Sequence, residues 1–260
     1  AGADVNRIEM ITISTPSNTV DYGDAITLEG RSSTALSNGP NDRAVLAQDE
    51  DDSKVMEFFS MRSFGNAIFF GNLQNIGTAP GSFSNGTDNR GIIAGGYNNH
   101  DEMEFINILS TGDASFFGNM VVSRNYNPVG ASSNDHHQRG FIAGGHNARD
   151  EIDYVDIATL GNALAFGDIS AAGHRNSSLS NGMDERGLIQ LAAYNTVEFI
   201  TISTPGNTTD FGDIRAARQN AAPMANSFTP PAISGSSMSV SQTFLSSSIM
   251  KWVHRSSIRI

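Results

Sequence analysis

The chain contains no cysteine, so it can hold neither a disulfide framework nor a thiolate metal site, and its redox compartment is left open. Positive charge is scarce. Sixteen Lys and Arg face 27 Asp and Glu, for a net charge of −11. That balance argues against a nucleic-acid partner, because phosphate contacts need clustered Lys and Arg. No apolar run approaches the ~18 residues of a membrane-spanning helix, which excludes membrane insertion by a helix. No secretory signal is visible. What the chain does have is glycine, 26 residues of it, with a hydrophobic fraction of 38%. This composition suits a turn-rich globular protein rather than a disordered one, and 260 residues can bury a full core.

The organising stretch is residues 198–212, EFITISTPGNTTDFG, which occurs five times. The other copies are 9–23 (EMITISTPSNTVDYG), 57–71 (EFFSMRSFGNAIFFG), 104–118 (EFINILSTGDASFFG) and 153–167 (DYVDIATLGNALAFG), all aligned without a gap. The closing glycines Gly23, Gly71, Gly118, Gly167 and Gly212 are 48, 47, 49 and 45 residues apart. The chain opens at Ala1 inside such a repeat, as a processed or partial product of a longer protein would.

Each copy reads as two short strands around a turn. The first is rich in Ile, Phe and Thr. The turn core is Gly65-Asn66, Gly161-Asn162 or Gly206-Asn207, with Ser17-Asn18 and Gly112-Asp113 in the remaining copies; these types accept the positive φ of a two-residue hairpin. The second strand ends in an aromatic-Gly pair carrying Tyr22, Phe70, Phe117, Phe166 or Phe211, each expected in the core between repeats. A small-residue strand follows (34–39, 81–86, 130–135, 177–182). Next comes an arginine-led apolar strand starting at Arg43, Arg90, Arg139 or Arg186, which ends in Gly95-Gly96 and Gly144-Gly145 in the middle copies.

Four strands in about 47 residues match a β-propeller blade. A β-solenoid has shorter coils, and a sandwich has no reason for a constant period. The expected fold is all-β: five four-stranded antiparallel blades over residues 1–236. Residues 222–227 and 231–236 would complete the first blade and close the ring. Residues 237–260, Ser-rich and carrying the single tryptophan Trp252, read as a tail or docking segment.

The double glycines resemble those of kelch repeats, and Arg124, Arg175 and Arg218 resemble the kelch arginine at the start of the small-residue strand. The pattern acid-aromatic-aliphatic-Thr-Ile, Gly-Asn, Phe-Gly-Asp is more similar to kelch-like repeats in virion and tail-fibre proteins of tailed bacteriophages. The likeness covers residue 1 to about 236. It departs from the kelch pattern at residues 46–49 and 191–193, where the double glycine is absent, and every copy lacks the kelch tryptophan. The resemblance implies a non-enzymatic virion structural protein in a tail fibre, spike or other appendage. Its partners would be other virion proteins or a host-surface glycan, with a homo-oligomer within the appendage as a further possibility. Two alternatives stay open: a cellular kelch-type interaction module, and a propeller hydrolase acting on glycans through paired carboxylates.

Other motifs have bland readings. The opening acids Glu9, Glu57, Glu104, Asp153 and Glu198 are expected to pair with the repeat arginines or with backbone N–H of a neighbouring blade, not to bind cations. Asp210-Phe211-Gly212 spells a kinase metal motif without the rest of a kinase. The acidic run Asp49-Glu50-Asp51-Asp52 lacks the spacing of a calcium loop, and Asp135-His136-His137 reads as a polar turn. Neither a catalytic constellation nor a cofactor or metal site is expected. The binding expectation falls on one end of the ring, where loops leaving Gly-Gly strands meet loops entering small-residue strands. It gathers Tyr97, Asn98, Asn99, His100, Arg124, Tyr126, His146, Asn147 and Arg175.

Overall fold

The structure is a computed structural model. It describes residues 6–12, 15–26, 34–37, 42–47, 54–76, 80–84, 89–96, 100–124, 130–134 (backbone only), 138–146, 149–180 and 185–219. Among these there is no helix. Strands β1 (Arg7–Met10) and β2 (Val20–Asp24) form a two-stranded antiparallel sheet. The others form four four-stranded antiparallel sheets. The first is β3 (Thr34–Ser37), β4 (Arg43–Ala47), β5 (Val55–Ser60) and β6 (Ile68–Asn72). The second is β7 (Gly81–Ser84), β8 (Arg90–Ala94), β9 (His100–Asn107) and β10 (Ser115–Arg124). The third is β11 (Gly130–Asn134), β12 (Arg139–Gly145), β13 (Arg149–Asp156) and β14 (Leu164–Asp168). The fourth is β15 (Ser177–Ser180), β16 (Arg186–Gln190), β17 (Thr196–Thr201) and β18 (Thr209–Asp213).

Every sheet pairs its strands in chain order, as the repeat predicts. We number these units blades 1 to 5, with β1 and β2 as the outer half of blade 1. The segments expected to complete blade 1, residues 222–227 and 231–236, lie outside the described residues, as does the tail 237–260.

The small-residue strands are innermost. β3 lies beside β7, β7 beside β11, and β11 beside β15. Thr34 Oγ1 and Ser82 Oγ are 2.6 Å apart, and Ser82 Oγ also donates to Ala35 O at 3.0 Å. Short hydroxyls belong here because neighbouring inner strands approach too closely for larger side chains.

The aromatic-Gly strand carries a register slip in every copy. Glu57 faces Phe69 while Met56 faces Gly71, so Phe70 is the extra residue of a β-bulge. Tyr22, Phe117, Phe166 and Phe211 sit at the same slip. A bulge breaks strict alternation and re-aims one side chain, here into the space between blades. Phe70 packs with Leu36, Val45 and Met56 of its own blade and Ile93, Ile106 and Ile108 of the next. Phe117 and Phe166 occupy the same place in the following two cores.

Tyr22, Phe70, Phe117 and Phe166 are 6%, 1%, 2% and 4% exposed. Phe211 departs from the expectation at 53%. It lies on the last described blade, and no further blade covers that face among the described residues. Phe211→Ala should therefore lower stability by about 1 kcal/mol or less. Denaturant unfolding checks this, and a loss as large as that at Phe117 would show that the face is covered in solution.

Candidate functional site

The carboxylates that open the repeats are consumed by the seams between blades. Glu57, Glu104, Asp153 and Glu198 are 0%, 1%, 1% and 2% exposed. Glu57 Oε2 accepts the Ile26 N–H at 2.6 Å. Glu104 accepts three, from Gln74, Asn75 and Ile76 at 2.9, 2.6 and 3.1 Å. Asp153 accepts the Val121 N–H at 3.0 Å, and Glu198 that of Ser170 at 3.2 Å. Each carboxylate thus caps the segment that follows the aromatic-Gly pair of the preceding blade. Charge-assisted bonds to these amides offset part of the desolvation of the buried carboxylates. Glu9 is the exception, half-exposed and bonded to Thr19 Oγ1 at 2.9 Å.

Three of the repeat arginines cap carbonyls of the following blade. Arg43 Nη1 donates to Ile108 O and Leu109 O at 3.0 and 2.7 Å. Arg90 donates to Ile157 O at 2.7 Å, and Arg139 to Ile202 O and Ser203 O at 3.0 and 2.9 Å. The guanidinium planes of Arg43, Arg90, Arg139 and Arg186 also lie over Phe58, Phe105, Tyr154 and Phe199, 4.2 to 5.1 Å from the ring centres. A pocket of about 310 Å³, lined by Arg90, Phe105 and Ala158 among others, belongs to one of these seams.

The turns that carry Gly-Asn do not match their sequence reading. Asn66, Asn162 and Asn207 have no positive φ. Instead each side chain reaches the preceding blade: Asn66 Oδ1 accepts Asp24 N, Asn162 Oδ1 accepts Asn119 N and Asn207 Oδ1 accepts Asp168 N, at 3.0 to 3.1 Å. The turn glycine carbonyls rest on the glycines of the aromatic-Gly pairs. A Cβ on Gly71, Gly118 or Gly167 would stand 2.0, 2.0 or 2.2 Å from Gly112 O, Gly161 O or Gly206 O.

The end expected to bind is built differently. Gly144 and Gly145 have φ of +79° and +144°, and Gly95 and Gly96 +72° and +124°, which glycine adopts without strain. A Cβ on Gly144 would lie 2.6 Å from Gly173 O. The connection into blade 5 therefore lies directly on this loop, with Gly145 N donating to Gly173 O at 2.9 Å and Gly173 N to Arg149 O at 3.1 Å. This brings the His146 and His174 rings to 4.9 Å. Burial, then the neighbouring His146 and then Arg175 hold the His174 imidazole below the usual histidine range. Arg175, at φ +62°, donates Nη1 to Gln219 Oε1 at 3.0 Å, while its buried Nε has no partner. Arg149 pairs with Glu151 at 3.1 Å, both half-exposed.

Of the nine residues expected here, His100, Arg124, His146 and Arg175 are described, and all four lie at this end. Tyr97, Asn98, Asn99, Tyr126 and Asn147 lie outside the described residues, as do the runs 49–52 and 135–137. Arg124 is placed deeper than a contact residue. It is 0% exposed, donates to Gly144 O and to Glu151 O (3.0 Å), and pairs with Asp153 at 3.1 Å. It fixes the loop before His146. His174, Arg149 and Tyr194 were not among the expected residues. Tyr194 and Arg149 occupy the repeat position of His100, four residues before the opening acid, which is the signal that could have found them. Among the described residues no group of three or more His, Asp or Glu could hold a metal.

No protein-family model matches the chain, and no curated protein sequence does. Solved structures do match. A chain of the nidogen/laminin complex superposes with a TM-score of 0.59 at 11% identity, over 82% of this chain and 78% of that one. The fold is a β-propeller. A chain of Kuenenia stuttgartiensis hydrazine synthase also matches, at 0.50 and 12% identity, over 73% of this chain and 50% of that one. These likenesses bear on the propeller scaffold alone.

Proposed function

We propose that this propeller is a non-enzymatic binding module of a virion, carried on a tail fibre, spike or other surface appendage of a tailed bacteriophage. It meets a host-surface glycan or a neighbouring virion protein through the end that holds His146, His174 and Arg175. The observation that carries this reading is a contrast between the seams and that end. Four seams repeat the same carboxylate caps, bulged aromatics and glycine contacts from blade to blade. At the loop end the equivalent positions diverge into His100, Arg149 and Tyr194. A scaffold that repeats while one end varies is the arrangement of a specific surface on a generic frame. The non-enzymatic reading is supported by the use of the buried carboxylates as seam caps, and the virion setting by the resemblance of the repeats.

The absence of cysteine allows a clean test. Tyr194 (46% exposed) lies at the loop end and Leu160 (53%) at the opposite one. Polyethylene glycol attached to Tyr194→Cys should abolish retention on host cells or on particles lacking the appendage. The same polymer on Leu160→Cys should leave it intact. Loss only with the Leu160 label would place the contact at the other end, and retention with both would remove the propeller ends from binding.

A further inference from the structure

We infer that the junction of the two loops between blades 4 and 5 at the loop end binds one oxyanion of an acidic saccharide, a carboxylate or sulfate ester, through His146, His174 and Arg175. This deepens the reading that the loop end is the binding face, and it rests on that reading.

Three cationic or protonatable groups converge here in a protein whose net charge is −11. The imidazoles touch at 4.9 Å although they come from different loops, one leaving β12 and one entering β15. The Gly145–Gly173 and Gly173–Arg149 backbone bonds hold those loops together, so the contact is built into the seam. Arg175 stands next to His174 in a left-handed conformation, and its buried Nε–H is left without an acceptor. A guanidinium N–H buried without an acceptor is costly, and an oxyanion is the partner it pairs with best. Like charges packed together resist protonation, so His174 is held below the usual range by burial and by these neighbours. An anion seated among them reverses that repulsion.

Two arginines on the packed elements already have carboxylate partners. Arg149 is held by Glu151, and Arg124 by Asp153. The acidic surface as a whole repels polyanions, which favours a ligand with an isolated charge on a neutral body, such as a uronic acid or sulfated sugar, over nucleic acid.

The test follows the histidine ring signals of the full chain by NMR during titration with sodium glucuronate, sodium sulfate, or glucose at matched chloride ionic strength. The His146 and His174 signals should move saturably with glucuronate, sulfate or both, the His174 protonation midpoint should rise, and glucose should have no effect. A response to glucuronate alone marks a carboxylate sugar, and a response to sulfate alone a sulfate ester. Arg175→Asn, which tolerates the left-handed backbone, should weaken binding about tenfold or more, and Arg175→Lys less. Ring signals that ignore both anions, or an unchanged affinity in Arg175→Asn, would overturn the site. Failure here with a positive Tyr194 label result removes only the anion. Anion binding with a negative label result removes the binding-face reading instead.

Discussion

Phe117→Ala and Gly118→Ala are each expected to lower stability by about 3 kcal/mol or more, through opposite faults at one seam. Phe117 is the bulge residue of β10 and fills the core between blades 3 and 4 with Phe83, Met103 and Ile142. Its removal leaves a cavity worth about 3–5 kcal/mol, because packed strands on both sides cannot collapse into it. Gly118 fails by overfilling. A Cβ there would lie 2.0 Å from Gly161 O and 2.4 Å from Gly161 C, both backbone atoms that cannot rotate away. The control sits in the same contact. A Cβ on Gly161 meets nothing within 4 Å, so Gly161→Ala should change stability by less than about 0.5 kcal/mol. Denaturant unfolding of the three variants checks this. Equal losses at Gly118 and Gly161 would show that the seam does not depend on close backbone approach, and an unchanged midpoint for Phe117→Ala would remove the aromatic from the core.

That asymmetry also separates what could be read from the chain from what could not. The period, the strand order and the place of the aromatic were legible because they recur at fixed spacing, and recurrence survives ignorance of the partner. The reason for Gly-Asn was not. A hairpin turn is the local explanation, but the asparagine bonds to a backbone N–H 39 to 43 residues earlier, in another blade. The Asp or Asn after each aromatic-Gly pair marks where that bond lands, yet only the blade geometry joins the two. The arginines show the same limit, since their acceptors lie 63 to 67 residues away. Phe211 was misplaced because a repeat pattern treats every copy alike, whereas exposure depends on what covers the last one. His174 escaped notice because it is no repeat position. It becomes visible only when the double glycine of blade 4 lets the next connection settle onto His146.

Arg124→Met is expected to cost about 3–5 kcal/mol, the range for a buried ion pair that loses one member. Arg124 and Asp153 are 0% and 1% exposed, and the remaining bond to Asp153 comes from Val121 N at 3.0 Å. A single amide cannot compensate a buried carboxylate that has lost its guanidinium. Converting the partner as well, Arg124→Met with Asp153→Leu, removes the stranded charge and adds only the Val121 N–H to the Gly144 and Glu151 carbonyls that the single variant already deprives of their donor, a further penalty of about 1–3 kcal/mol. The double variant should thus be more stable than the single one. Losses that simply add would show that the pair is not coupled. The same experiment tells a positioning residue from a contact residue. Arg124 holds Gly144 O and Glu151 O, so it shapes the approach to His146 from inside the blade. If it acts only in this way, anion binding and stability should both fall in Arg124→Met, and the double variant should regain stability but not binding, since the bonds to those two carbonyls stay lost. A stable Arg124→Met that has lost only binding would instead put its guanidinium on the ligand.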